Sequence, residues 1–192
     1  MKNRGYTLVE VLVVVAMILV AGTIVFMSIS TIFALDMRQT AKEVYAGISK
    51  LKVDTMSKTG DVCLHLYTKS DGIYMDIWEQ GAASSTAVLL HETNDLGSVN
   101  KVGKKTVSVF YTTSNNTALE IPLDNTGVVL AFNRSNGSFK TLGQSWSLAQ
   151  TLFGATYTPP NQSDTITAII FQSSGTRKTL TFSADTGKFI FS

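Results

Sequence analysis

Apolar and polar positions divide this chain into three regimes. From Val11 to Leu35 no charged residue occurs, and Gly22, Thr23, Ser28, Ser30 and Thr31 are the only breaks in an apolar run. About 20 apolar residues suffice for a helix to cross a bilayer, so the run predicts a transmembrane helix. Beyond it, Met37, Ala41, Val44, Ile48, Leu51 and Thr55 recur at helical spacing, while Arg38, Lys42, Lys52 and Asp54 lie off that stripe. This pattern predicts an amphipathic continuation over 36–58 with one buried face. Lys58 in the last turn and Gly60 just after it signal the end, with Gly60 expected in the left-handed conformation. A helix from Tyr6 to Lys58 would be roughly 80 Å long at about 1.5 Å per residue, so half of it must protrude from any domain this chain can build.

From Val62 the period becomes two. Val62, Leu64 and Leu66, then Ile73, Met75 and Ile77, alternate as half-buried strands do. Further strands are expected at Ala87 to His91, Val107 to Tyr111, Leu119 to Leu123, Val128 to Phe132, Ser138 to Leu142, Ile166 to Phe171, Thr179 to Phe182 and Phe189 to Phe191. Asp71-Gly72, Asp124-Asn125-Thr126-Gly127, Asn136-Gly137 and Asp185-Thr186-Gly187 sit between these runs and suit tight hairpins. The fold class is therefore α+β: a long N-terminal helix packed on a mainly antiparallel sheet, with 59–192 as one β-rich domain and no internal repeat. Gly143 to Asp164 is long for a connection and carries Trp146, Leu148, Leu152, Phe153 and Tyr157. Leu148 and Leu152 lie four apart, so a short helix before Gly154 covers the sheet. The alternative is that Trp146, Phe153 and Tyr157 face a partner subunit.

Composition narrows the chemistry. Hydrophobic residues make up 44 % of the chain, enough for a sizeable core. Lys+Arg number 16 against 14 Asp+Glu, a net charge of +2 that names no partner. Cys63 is the single cysteine, which excludes an intramolecular disulfide and any CxxC motif. Cys63 and His65 share a strand face and His91 is a conceivable third ligand, but a buried thiol and ordinary sheet histidines explain them better, so no metal and no cofactor is expected. HExxH, GxSxG, Walker A and GxGxxG are all absent, so no catalytic residue is assigned and the chain is expected not to be an enzyme. Sequons at Asn115, Asn133 and Asn161 are read as loops. The run Asn100 to Lys105, with Arg177 and Lys178, is a weak basic patch for DNA or a cell-wall polymer, and solvated loop charges are the stronger reading.

One residue breaks the first regime. Glu10 stands at the head of the apolar run, and a carboxylate at mid-membrane costs about 2.5 to 3.5 kcal/mol, so it either pairs or sits at the headgroup level. An ordinary secretory signal cut near Val20-Ala21-Gly22 competes with the transmembrane reading, but its apolar core is uncharged and shorter than this one. Lys2 and Arg4 ahead of the run place the N-terminus in the cytoplasm and the rest outside the cytoplasmic membrane.

Gly5-Tyr6-Thr7-Leu8-Val9-Glu10 followed by an apolar run resembles the cleavage and methylation motif of type IV prepilins and type II secretion pseudopilins. The resemblance implies a leader of residues 1–5, cleavage between Gly5 and Tyr6 by a prepilin peptidase, N-methylation of Tyr6, and assembly in which Glu10 pairs with the terminal amine of a neighbouring subunit. Val11 to Leu35 would then be membrane anchor first and filament core afterwards, and the partners would be other pilin or pseudopilin subunits, membrane lipid and a membrane assembly platform. Tyr6 stands where the family usually has Phe, and Met27 where major pilins carry a kinking proline, which favours a minor subunit. The order of helix, hairpin and strand-rich end is similar to H-type minor pseudopilins and their pilus counterparts. The rival reading is an exported binding or catalytic domain on an uncleaved tether. Pilus, type II secretion and DNA uptake in competence all remain open as the parent system.

Overall fold

The computed structural model describes residues 8–58, 60–80, 87–90, 101–159 and 161–192, the side chains of 24–30, 87–90 and 153 excepted. The first helix, α1, runs Leu8–Ser57. Its stripe is buried as its spacing requires: Met37, Ala41, Val44, Ile48 and Leu51 are all at 0 % exposure and Thr55 is at 4 %, whereas Arg38, Lys42 and Val53 face out. The expected span Val11 to Leu35 lies within α1. Among the described residues, however, no helix is long and apolar enough to cross a membrane. The apolar stretch with described side chains, Leu8 to Thr23, is shorter than the roughly 20 residues a span needs.

Cations close the C-terminal end of α1. Arg134 donates from Nε to the Thr55 carbonyl at 3.2 Å, an acceptor that the helix leaves open, and from its guanidinium to the Gly60 carbonyl just beyond the helix at 2.5 Å. Lys58 bonds Glu79 at 2.7 Å, which with Asp54 raises the lysine's pKa. The small size of Gly60 serves a close approach, because a Cβ there would lie 2.2 Å from the Gln80 carbonyl oxygen.

Among the described residues ten strands follow: β1 Val62–Lys69, β2 Gly72–Gln80, β3 Ala87–Leu90, β4 Lys101–Lys104, β5 Ser108–Thr113, β6 Asn116–Pro122, β7 Val128–Leu130, β8 Ile166–Ser173, β9 Thr176–Ser183 and β10 Lys188–Phe191, with a second helix, α2 Leu142–Phe153, between β7 and β8. They build two sheets. One has the order β3-β2-β1-β7 with β4 also on β2, the other β10-β9-β8-β5-β6. Each pairing among the described residues is antiparallel, as the turn chemistry predicts. The stripe of α1 and the inner faces of both sheets form one apolar core that includes Leu64, Leu66, Ile73, Ile169, Phe171 and Leu180.

Three expectations need correction. Asp124 to Gly127 is not a hairpin between sheet neighbours. Asp124 Oδ1 accepts from the amides of Thr126 and Gly127, and the turn passes the chain from one sheet to the other. Ser138 to Leu142 is not a strand, since it makes only the bridge Phe139 to Phe132 before the helix begins. The basic run instead contains β4, where Lys101 to Lys104 pairs with β2. His91, the last residue of an expected strand, lies outside the described residues.

The second helix settles the long connection. Thr141 caps α2, accepting from the Gln144 amide while the Gln144 side chain accepts from the Thr141 amide, and Gly154 closes the helix at φ 71°. Beneath it, Cys63, Val129, Ala131, Trp146, Ala149 and Leu152 form a second apolar cluster on the outer face of the first sheet. That sheet is thus covered on both faces. His65 lies at the edge of this cluster, its Nε2 2.8 Å from the Thr126 carbonyl and its ring stacked on Tyr67 at 4.6 Å. Burial lowers its pKa, against smaller opposing effects from that hydrogen bond and from Asp76.

Two outcomes follow. Ile48→Ala should lower the unfolding free energy by about 2–5 kcal/mol, whereas Val53→Ala on the exposed face should change it by no more than about 0.5 kcal/mol, both read by denaturant titration of the full chain in detergent. Because the folded His65 binds its proton more weakly than the unfolded residue, its contribution to stability is complete above the unfolded value of about 6.5 and declines as pH falls below it. Denaturation midpoints from pH 7.5 down to 5 should therefore fall, and His65→Gln should flatten that decline; an unchanged slope would contradict the assignment.

Candidate functional site

The chemistry singled out by the sequence gathers at the N-terminal half of α1. Leu8, Val11, Leu12, Val14, Met17, Ile18 and Val20 are all exposed, from 53 % at Val11 to 82 % at Leu8. A Cβ built on Gly22 meets nothing within 4 Å. Thr23 turns its hydroxyl inward, donating to the Val20 carbonyl at 2.7 Å, so it costs this surface little. The described part of the helix ahead of the domain thus presents apolar side chains all round, a composition that suits a lipid or protein surrounding rather than water. Leu12, Val13, Ala16, Met17, Val20 and Ala21 line a shallow apolar groove along it.

Glu10 occupies the first turn of α1 and is exposed. A carboxylate is favoured there by the partial positive charge of the helix N-terminus. Gly5 and Tyr6, the expected cleavage pair, lie outside the described residues.

The other candidates fall elsewhere. Trp146 is buried at 3 % exposure within the cluster under α2, where it helps cover the sheet. Tyr157 packs edge-on to Trp146 at 5.0 Å and remains 39 % exposed, and the side chain of Phe153 lies outside the described residues. Cys63 and His65 do share a face, but they are held by different neighbours. Cys63 is fully buried, and desolvation, helped by Asp61, pushes its thiol up to about 12, an inert protonated group.

The basic patch is largely neutralised where it stands. Lys101 pairs with Asp71 at 3.0 Å, Lys104 with Asp36 at 2.9 Å and Arg177 with Glu120 at 2.6 Å, while Lys178 sits over the Phe191 ring. The three sequon asparagines lie off the regular elements, and the Asn133 side chain is engaged by the Ser138 hydroxyl at 2.8 Å. What the sequence reading missed is the capping box of α2, legible as Thr141-x-x-Gln144, and the counter-charges of the lysines, which come from residues far apart in the chain.

Comparison with known proteins bears on the first of these regions. Residues 1–26 match the family described as the prokaryotic N-terminal methylation motif. No curated protein and no solved structure matches the chain. The matched residues include Gly5, Tyr6 and Glu10 and run into the exposed apolar part of α1. Over those residues the chain carries that motif, which supports its resemblance to the type IV pilin-like and pseudopilin proteins.

Proposed function

We propose that this chain is a minor subunit, pilin or pseudopilin, of a type IV pilus-like filament, and that it works by assembly rather than catalysis. The observation that carries this reading is the methylation motif at residues 1–26 continuing into a helix whose described leading part is apolar and exposed. Removal of residues 1–5 by a prepilin peptidase liberates the Tyr6 amine, which is then methylated. In the membrane, Val11 to Leu35 holds the chain with its N-terminus inside, as Lys2 and Arg4 direct. Extraction into the filament exchanges lipid for the helices of other subunits, leaving the apolar surface covered throughout.

Glu10 supplies the selection step. The liberated ammonium of one copy and the Glu10 carboxylate of its neighbour attract strongly in a medium of low dielectric, and each reduces the desolvation cost of the other. A subunit seated out of register leaves both charges poorly matched. The globular part, with its two sheets and α2, then decorates the outside or the tip of the fibre.

Mass spectrometry of the protein from its native host should find a mature chain beginning at N-methyl-Tyr6; retention of Met1 or a start near Thr23 would refute the processing step. Glu10→Gln should leave cleavage intact and abolish recovery of the subunit in sheared filaments, whereas incorporation at the wild-type level would refute the pairing.

A further inference from the structure

A cleft of about 640 Å³ opens where one face of α2 meets the segment before β1, the end of β2 and the loop that leads to β8. Its size falls within the range of small-molecule sites. The side chains of Asp61, Gln80, Lys140, Ser147, Gln162 and Ser163 line it, and none of them makes a hydrogen bond or ion pair with another described residue. Six polar groups without a partner among the described residues, drawn from four separate segments, converge on one space.

Their chemistry selects the ligand. Asp61 and Lys140 contribute one charge of each sign, and both lie near enough to Cys63 to act on its thiol in opposite directions. The cleft is therefore formally neutral at pH 7, which disfavours a polyanion or a polycation. Carboxamides and hydroxyls each donate and accept, matching a ligand whose groups also do both at once, as sugar hydroxyls do. Asp61 can accept from two adjacent hydroxyls. Leu148, half-buried on the same wall, supplies an apolar patch for the C–H face of a sugar ring.

We infer that this cleft binds a short segment of neutral glycan. A peptide, with one donor and one acceptor per backbone unit, uses the amide and hydroxyl lining less fully. The site is independent of filament assembly, since every lining residue belongs to the globular part, and it holds equally for a chain that is never polymerised.

The test uses the full chain in a detergent without a sugar head group, with maltotriose, cellotriose and chitotriose as probes and triglycine as the peptide control, read by saturation-transfer difference NMR. At least one trisaccharide should bind saturably at millimolar concentration. The double variant Ser147→Ala, Gln162→Ala should weaken it about fivefold or more, the loss expected for two hydrogen bonds. Both residues are exposed and lie outside the Thr141–Gln144 capping pair, so the denaturation midpoint should not move and serves as the folding control. Absence of binding by all three sugars, equal affinity in the folded variant, or preferential binding of triglycine would each overturn the assignment.

Discussion

One helix has to satisfy two surroundings, and the rest of the structure answers to that constraint. In its second half, the stripe from Met37 to Thr55 is sealed against both sheets at once, so the domain's main core cannot form without α1. In its first half, the described side chains have no such cover and meet their surroundings on every side. Helix continuity fuses these two requirements into one rod, so whatever holds the leading part also fixes where the domain sits.

The apolar stripe decides which face of α1 turns inward, but a smooth stripe alone does not fix the helix along its own axis. Polar ties near its C-terminal end supply that register. Lys52 donates to the Gly187 carbonyl at 2.7 Å, in the turn between β9 and β10, and Arg134 and Lys58 hold the last turn to Gly60 and Glu79. Gly187 is itself constrained, at φ 59° and with its backbone against Gly137, where a Cβ would come within 1.7 Å of a carbonyl oxygen. These ties engage both sheets, so force applied along α1 is carried into the whole domain.

Much of this was legible from local pattern, and the failures have physical causes. Met37, Ala41, Val44, Ile48 and Leu51 could be read because helical periodicity is a local signal with a large burial consequence. The strand pairs β1–β2, β8–β9 and β9–β10 were legible for the same reason, each with a short connection between alternating runs. The segment Lys101 to Lys104 was read as a charged loop because its sequence, with a glycine and two lysines, carries no strand signature; pairing with β2 and the carboxylates of Asp71 and Asp36 make it a strand. Trp146 was ambiguous because burial under a helix depends on what that helix covers, here Val129, Ala131 and Cys63. The polar cleft was invisible, since Asp61, Gln80, Lys140 and Gln162 converge only through tertiary structure.

The central claim is that the exposed apolar part of α1 is surface destined for other copies of the same kind of helix. A photo-crosslinking residue placed at Met17, which is 66 % exposed, tests it most directly in living cells that produce the filament. The account predicts adducts whose partner peptides, identified by mass spectrometry, come from the N-terminal helices of pilin-like subunits. Adducts to lipid alone, in cells whose filaments contain this chain, would contradict it.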